Sequence, residues 1–216
     1  SQHLAATLCR YGVLALVIKI VIGSSASSLA GPGPLRLVVL GDSLTSGYGL
    51  AIKDAFPTQI EAALRGRGID VTVLNAGVSG DTTAGGRARL EWVLASAPTA
   101  VIIELGANDG LRGIEPSATA DNLDAIIVQL KQRRIPVLLA GMYAPENLGR
   151  DYTSAFNAVY PRLAKAHKVI LYAFFLDGVA GVPNLNQDDG IHPNAKGVAV
   201  IVERILPLVV KLLRKA

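Results

Sequence analysis

Short runs of apolar residues, rich in β-branched side chains, recur along the chain and are separated by longer segments with helical periodicity. The apolar runs cover residues 35–40, 71–74, 101–105, 137–140 and 169–172. The runs are mostly apolar and do not alternate regularly with polar residues, which is typical of strands buried on both faces of a parallel sheet. The pattern therefore predicts five buried strands.

The segments between these runs are predicted helices, covering residues 56–67, 82–97, 117–134, 152–167 and 195–214. In the third of them, the apolar residues recur at the i, i+3, i+4, i+7 spacing of one helix face. Asp81 precedes the second of these helices and is its predicted N-cap, and Asn194 precedes the last. Strands that alternate with helices in this way predict an α/β fold, with one parallel sheet covered on both faces.

Polar residues follow the predicted strands at four places. Ser43 comes just after the first strand, Gly80 after the second and Asn108 after the third, while Asp189 and His192 follow the last. The carboxyl ends of parallel strands share one edge of the sheet, and ligands bind at that edge in such folds. The sequence therefore predicts that these residues meet.

The residue types at this edge suit acyl transfer. A serine hydroxyl is a poor nucleophile unless an imidazole accepts its proton and an anion orients that imidazole. Asp189 and His192 are three residues apart, so one short turn can pair them, with Asp188 as an alternative partner. Taken alone, Ser43 could instead be a helix N-cap in an ordinary strand-to-helix turn.

A tetrahedral intermediate also needs hydrogen-bond donors that are already in place. Gly80, in the block of residues 75–82, can offer an unobstructed backbone N–H group. Asn108, in the block of residues 104–110, can offer a side-chain amide. The backbone N–H of Ser43 would be a third donor.

Four blocks, residues 41–44, 75–82, 104–110 and 188–194, resemble in this order those of the SGNH (GDSL) hydrolases. The resemblance covers roughly residues 35–213, and residues 104–113, 149–166 and 187–194 resemble the bacterial periplasmic thioesterase I, lysophospholipase and arylesterase subgroup. It implies a flavodoxin-like three-layer α/β/α sandwich with the parallel strand order 2-1-3-4-5. One departure is Ala107, where close relatives often carry a second glycine.

The same resemblance implies the role of each site residue. Ser43 would be the nucleophile, Gly80 and Asn108 would donate to the oxyanion, and Asp189, favoured over Asp188 by the family spacing, would complete the triad with His192. The implied activity is hydrolysis of aryl esters, acyl thioesters or lysophospholipids. A carbohydrate acetylesterase and a non-catalytic binding module are the alternatives.

Composition and charge disfavour nucleic-acid binding and a metal site. The formal net charge is +4, and the basic residues are scattered near predicted helix ends, so no clustered face for nucleic acid is expected. The three histidines are far apart in sequence and there is a single cysteine, which disfavours a metal site. We expect a monomer that acts on a small-molecule acyl ester or thioester without a cofactor. Residues 143–150 are expected to shape its pocket, and Arg112 to meet an anionic head group or a surface ion pair.

The N-terminal segment, residues 1–34, differs from the rest of the chain. An apolar run over residues 11–23, broken by Lys19, is followed by small residues that include Ser28 and Ala30. This pattern is typical of a secretory signal peptide cleaved after Ala30, and the run is short for a membrane span. The sequence thus predicts a periplasmic or secreted hydrolase domain over residues 35–216, with an uncleaved N-terminal membrane anchor as the alternative.

Overall fold

Five parallel strands form a single sheet in the order β2-β1-β3-β4-β5. The computed structural model describes residues 34–216, so the predicted signal or anchor segment lies outside the described residues except for Pro34. The strands are β1 (Leu35–Gly41), β2 (Val71–Gly77), β3 (Ala100–Glu104), β4 (Val137–Ala140) and β5 (Ile170–Tyr172). The strand order and the parallel direction predicted above are therefore confirmed.

The register of the central strands brings three polar or small residues to one edge. Gly41, at the end of β1, pairs with Gly77 of β2 on one side and with Glu104 of β3 on the other. β2 is three residues longer than predicted, because residues 75–77 continue the ladder with β1. The carboxyl ends of these strands are therefore level, and the loops that follow them start side by side.

Nine helices surround the sheet within residues 34–216. They are α1 (Ser43–Ser46), α2 (Phe56–Arg65), α3 (Thr83–Ala88), α4 (Leu90–Ala95), α5 (Ala107–Leu111), α6 (Pro116–Gln132), α7 (Arg150–Asn157), α8 (Val159–His167) and α9 (Ala195–Leu213). α2 packs on α9, while α6 packs on α3 and α8, and both groups contact β4. The two groups therefore cover opposite faces of the sheet, as a three-layer α/β/α sandwich requires.

The apolar residues of all three layers form one continuous core. The strand residues Val39, Ile102 and Leu138 are fully buried, as are Ile60 of α2 and Ile205 of α9. Asn194 caps α9 by accepting from the backbone N–H groups of Lys196 and Gly197. No helix within residues 34–216 is both long and apolar enough to cross a membrane.

The predicted helix over residues 82–97 is in fact two helices, α3 and α4, which meet at Arg89. The Arg89 side chain leaves the helix surface to donate to Asp81 and to the carbonyls of Gly41 and Ala76. The prediction of Asp81 as the N-cap is also wrong. Thr82 is the N-cap, while Asp81 forms an ion pair with Arg89.

The predicted helix over residues 152–167 is likewise divided into α7 and α8 at Ala158. Pro161 lies in the first turn of α8 and has no N–H group to donate to the carbonyl of Asn157. The backbone of Ala158 keeps right-handed helical angles, φ −75° and ψ −15°. The predicted helix is therefore interrupted once, at Ala158, and its backbone stays close to helical there.

Candidate active site

Ser43 is the first residue of the short helix α1, directly after the end of β1, and we call residues 41–46 the Ser43 turn. Asp42 is the N-cap of α1, and its carboxylate accepts from the N–H of Leu44 at 3.0 Å. The alternative reading of Ser43 as the N-cap is therefore wrong. Since Asp42 performs the capping, the Ser43 hydroxyl is available for another partner.

The histidine loop, residues 186–194, approaches the Ser43 turn from the other end of the chain. Asp189 accepts from the backbone N–H groups of Ile191 and His192, each at 3.0 Å, and Gly190 adopts a φ of +73°. Asn186 and Pro193 form an isolated bridge that closes the base of the loop. The loop is thus a compact turn built around the Asp189 carboxylate.

Ser43, His192 and Asp189 form a continuous hydrogen-bonded chain. Ser43 Oγ lies 2.9 Å from His192 Nε2, and His192 Nδ1 lies 2.7 Å from Asp189 Oδ2. A carboxylate can only accept, so Nδ1 carries the ring proton and Nε2 presents its lone pair to the hydroxyl. Asp189, and not Asp188, is the partner of His192.

The charge of Asp189 is stabilised by the same loop. Hydrogen bonds from the backbone and the ring of His192, and from the backbone of Ile191, lower the pKa of Asp189 to about 2. The carboxylate is therefore ionised at neutral pH and can stabilise an imidazolium beside it. The His192 side chain is only 17% exposed, which limits the competition from solvent for both of its nitrogens.

Two further contacts hold the histidine loop against the Ser43 turn. The ring of Tyr48 lies 4.7 Å from the ring of His192, tilted by 37°. Gln187 donates to the carbonyls of Tyr48 and Pro193, at 2.8 and 3.0 Å. Sequence reasoning missed both residues, because their partners are more than a hundred residues away and no local pattern marks them.

The three predicted hydrogen-bond donors lie around the same turn in different environments. Ser43 is the first residue of α1, where the backbone N–H has no partner within the helix. The amide nitrogen of Asn108 donates to Asp42 Oδ2 at 3.2 Å and to the carbonyl of Asp81 at 3.0 Å. Gly80 lies in the exposed turn after β2 with a φ of +81°.

Of the two contacts expected of Arg112, the surface ion pair is not formed among residues 34–216. Its guanidinium donates to the carbonyl of Gly80 at 2.8 Å and forms no ion pair there. The side chain therefore supports the turn that contains Gly80. Asn75 supports the same region by accepting from the N–H of Gly77 at 2.9 Å.

A cavity of about 370 Å³ opens beside Ser43, Asn108 and His192. Its walls are mostly apolar and come from several loops, including Leu111, Met142, Tyr143, Ala144, Pro145, Phe174, Leu176 and Ile191. The rings of Tyr143 and Phe174 stack with centroids 4.5 Å apart. Residues 143–146 contribute to the lining, as expected for the loop after β4, and Ala107 also borders the cavity.

Two buried carboxyl groups lie directly behind the Ser43 turn. Asp42 and Glu104 are both 0% exposed, and the Asp42 N–H donates to Glu104 Oε2 at 3.4 Å. Burial raises the pKa of Asp42 to about 6, and burial together with the nearby Asp42 charge raises the pKa of Glu104 well above its usual range. Neither residue had a predicted role, although Asp42 lies in the block of residues 41–44 and Glu104 in the block of residues 104–110.

Groups that could bind a metal ion are not clustered here. Among residues 34–216, no three His, Cys, Asp or Glu side chains are arranged to hold a metal ion together. His167 lies away from this site and pairs with Asp124 at 2.6 Å.

Comparison with known proteins identifies relatives across this whole region. The family described as the GDSL-like lipase/acylhydrolase family matches residues 39–200. The chain is 41% identical to an arylesterase from Vibrio mimicus over 85% of its own length and 92% of that protein. It is 42% identical to the thioesterase 1/protease 1/lysophospholipase L1 of Escherichia coli strain K12 over 73% of its length and 75% of that protein.

Solved structures give the same result for the fold. The crystal structure of AlinE4, an SGNH-hydrolase family esterase, superposes with a TM-score of 0.71 at 44% sequence identity. The match covers 84% of this chain and 98% of that one. The sheet and the loops at its carboxyl edge therefore follow an architecture already known from an esterase.

Proposed function

Because this chain belongs to the GDSL-like lipase/acylhydrolase family, we propose that it is a serine esterase that hydrolyses carboxylic esters and thioesters through Ser43. The observation that carries the proposal is the hydrogen-bonded chain from Ser43 through His192 to Asp189, beside an apolar cavity. Hydroxyl, imidazole and carboxylate in this order are the groups that activate a serine for acyl transfer.

In the first half of the reaction, Ser43 Oγ attacks the acyl carbonyl carbon while His192 Nε2 accepts the hydroxyl proton. The imidazolium that forms is stabilised by the Asp189 carboxylate at Nδ1. His192 then returns the proton to the departing alcohol or thiol, and the acyl group remains on Ser43 as an ester. No group outside the protein and the substrate is needed for this step.

In the second half, water takes the place of the alcohol or thiol. His192 removes a proton from water, the hydroxide attacks the acyl-enzyme carbonyl, and the proton returns to Ser43 Oγ as the acid leaves. Both halves pass through a tetrahedral oxyanion. The N–H groups of Ser43 and Gly80 and the amide of Asn108 are the proposed donors to that oxyanion.

The cavity favours an acyl chain of medium length or longer. Its volume of about 370 Å³ is far larger than an acetyl group requires, and its walls carry few polar groups to orient a sugar. The relatives named arylesterase and thioesterase 1/lysophospholipase L1 suggest aryl esters, acyl thioesters and lysophospholipids as substrates. The carbohydrate acetylesterase is therefore the weaker alternative, and the intact hydrogen-bonded chain disfavours a non-catalytic binding module.

Hydrolysis of p-nitrophenyl esters from acetate to palmitate tests this proposal. Each methylene buried in the cavity is worth about 0.8 kcal/mol, so kcat/KM should rise up to about fourfold per methylene until the cavity is filled. Ser43→Ala should abolish the activity. The matched control is Ser79→Ala, since Ser79 is a nearby exposed serine whose hydroxyl pairs, among the described residues, with that of Ser46 alone.

The possible results separate the alternatives. Activity confined to acetate would favour the carbohydrate acetylesterase. Activity that survives in Ser43→Ala would remove Ser43 as the nucleophile. A well-folded wild-type protein that hydrolyses no ester and is not labelled by a fluorophosphonate probe would point to the binding module.

We also propose that the protein is exported and that it is a monomer. The N-terminal residues carry a signal-like pattern, and we propose cleavage after Ala30. Mass analysis of the N-terminus of the exported protein tests this, because retention of residues 1–30 would instead indicate an anchor. Light scattering of the purified protein tests the monomeric state.

A further inference from the structure

The two buried carboxyl groups behind Ser43 are not used by the mechanism described above. Burying a carboxyl group is costly unless hydrogen bonds or a cation compensate for the lost water. Neither Asp42 nor Glu104 forms an ion pair within residues 34–216. A pair of such groups directly beside a reactive serine therefore calls for an explanation beyond packing.

Asp42 contacts both sides of the site. One carboxylate oxygen accepts from the N–H of Leu44, which fixes the first turn of α1 and thus the position of Ser43. The other accepts from the Asn108 amide nitrogen at 3.2 Å. The same nitrogen also donates to the Asp81 carbonyl at 3.0 Å. Two acceptors on the protein side hold the amide in one orientation where it borders the cavity.

Glu104 supports this arrangement from the end of β3. Its Oε2 accepts from Thr45 Oγ1 at 2.6 Å and from the Asp42 N–H at 3.4 Å. Its Oε1 is buried and has no hydrogen-bond partner among the described residues. An ionised Glu104 would leave a charged oxygen without a donor beside a second carboxylate, so the neutral acid is the stable form.

The other charged or titratable groups around the pair do not change this conclusion. His192 lies across the turn from Asp42, Asp81 adds a second negative charge near it, and the Tyr160 hydroxyl is buried close to both carboxyls. Arg89 is the nearby cation, but its guanidinium is occupied by Asp81 and by backbone carbonyls of the two central strands.

We propose that Asp42 is a positioning residue for the Asn108 amide, and that Glu104, as a neutral acid, holds Asp42 and the Ser43 turn in place. This inference rests on the proposed function, because Asn108 matters only if an oxyanion forms beside it. The Asn108 amide nitrogen is already oriented by its two protein acceptors. When the oxyanion forms, it becomes a third acceptor, and one N–H of the amide is shared between the oxyanion and a protein acceptor in a three-centre bond. A donor fixed in advance needs no reorganisation during the reaction.

A double-mutant cycle between Asp42→Asn and Asn108→Ala tests the positioning role. Asparagine keeps the size of Asp42 and an acceptor for the Leu44 N–H, but its amide would face the Asn108 amide as donor against donor. We expect Asp42→Asn to lower kcat by about 10- to 100-fold with little change in KM, less than the roughly 10²–10³ lost when an oxyanion donor is removed. In the Asn108→Ala background, the same change should cost less than about threefold.

Three controls make the outcome decisive. Thermal unfolding shows whether each variant is folded, and Ser43→Ala with single Asn108→Ala report on the proposed function itself. If both of those variants lose activity but Asp42→Asn lowers kcat equally in the two backgrounds, Asp42 does not act through Asn108 and the inference fails. An unchanged kcat in Asp42→Asn overturns it as well.

Glu104→Gln tests the neutral state of the supporting residue. Glutamine presents one acceptor to Thr45 and to the Asp42 N–H and carries no charge, so kcat should stay within about threefold of the wild type if Glu104 acts as a neutral acid. A loss in Glu104→Gln as large as that in Asp42→Asn would show that the ionised form is required, and would overturn this part of the proposal.

Discussion

Carboxyl groups close to Ser43 have opposite environments, and each environment suits a different task. Asp189 lies in a turn whose N–H groups point at it, and these hydrogen bonds lower its pKa to about 2. Asp42 and Glu104 lie behind the turn without water, and burial raises the pKa of both. Hydrogen bonding to the charged form thus lowers the pKa of Asp189, whereas loss of solvent raises the pKa of Asp42 and Glu104, although all three are carboxyl groups.

The first prediction concerns the orientation of His192. Asp189→Asn would replace an acceptor by an amide that can donate to Nδ1, which favours the tautomer with a proton on Nε2 and removes the base facing Ser43. We expect kcat to fall by about 10³–10⁴ while the fold is kept. Asp188→Asn is the matched control, because Asp188 has the same exposed neighbourhood and does not contact His192. Equal losses in the two variants would contradict the assignment.

The second prediction concerns stability and pH. The pKa of Glu104 is higher in the folded protein than in the unfolded chain, so the unfolded chain loses this proton at a lower pH. The Glu104 carboxyl therefore lowers the free energy of unfolding by an amount that grows as pH rises above its unfolded-state pKa. Glu104→Gln removes this penalty without removing volume. We expect the variant to gain stability relative to the wild type between pH 5 and pH 8, as measured by urea unfolding at several pH values. A difference that is constant with pH would show that Glu104 does not titrate abnormally.

At the scale of single elements, the carboxyl edge of the sheet depends on close backbone contact. α1 lies over the end of β2, and a Cβ atom on Gly77 would overlap the backbone of Thr45 and Ser46. The Ser43 turn can therefore sit directly on the strand only because residue 77 has no side chain. The same crowding exists at Gly41, where a Cβ would meet Thr45 and Glu104.

The third prediction follows from this contact. Gly77→Ala should push the Ser43 turn away from the sheet, lowering both the melting temperature and kcat, since small displacements of reacting groups cost about 10²-fold. Gly66→Ala is the control, because Gly66 ends α2 with helical angles of −60° and −17°, and the nearest atom to a Cβ there is the Ala62 carbonyl oxygen at 3.3 Å, whereas a Cβ at Gly77 would overlap the Ser46 nitrogen. Wild-type kcat in Gly77→Ala would show that the turn can adapt.

At the scale of the whole molecule, the carboxyl edge of the sheet holds the site, whereas the opposite edge contributes to stability. Ser43, Asn108 and His192 follow the carboxyl ends of strands, while helix ends and tight connections occupy the other edge. Lys168, between α8 and β5, adopts a left-handed φ of +56°, which is unfavourable for a residue with a side chain. Such strain at the far edge affects stability and not catalysis.

The fourth prediction tests that separation. Lys168→Gly should raise the free energy of unfolding by about 0.5–1 kcal/mol, because glycine adopts the left-handed conformation without steric cost. Activity on p-nitrophenyl esters should not change. A variant with altered kcat would indicate that the two edges of the sheet are coupled.

Local sequence determined the strands and predicted that a carboxylate of residues 188–189 pairs with His192, while the family spacing favoured Asp189 over Asp188. The groups concerned are neighbours in the chain, so the hydrophobic period and a short turn were sufficient. The meeting of Ser43 with His192 was also predictable, because parallel strands present their carboxyl ends at one edge. The resemblance to a known family supplied the strand order itself.

Only the tertiary structure decided the features that depend on distant partners. The interruption of a predicted helix at Arg89 follows from acceptors on other elements, and the contact between the tilted rings of Tyr48 and His192 joins segments 144 residues apart in the sequence. The raised pKa values of Asp42 and Glu104 arise from burial by surrounding elements, which neither residue reveals in its own segment. Sequence patterns carry the local preferences of the chain, whereas solvent exclusion and long-range hydrogen bonds exist only once the layers are assembled.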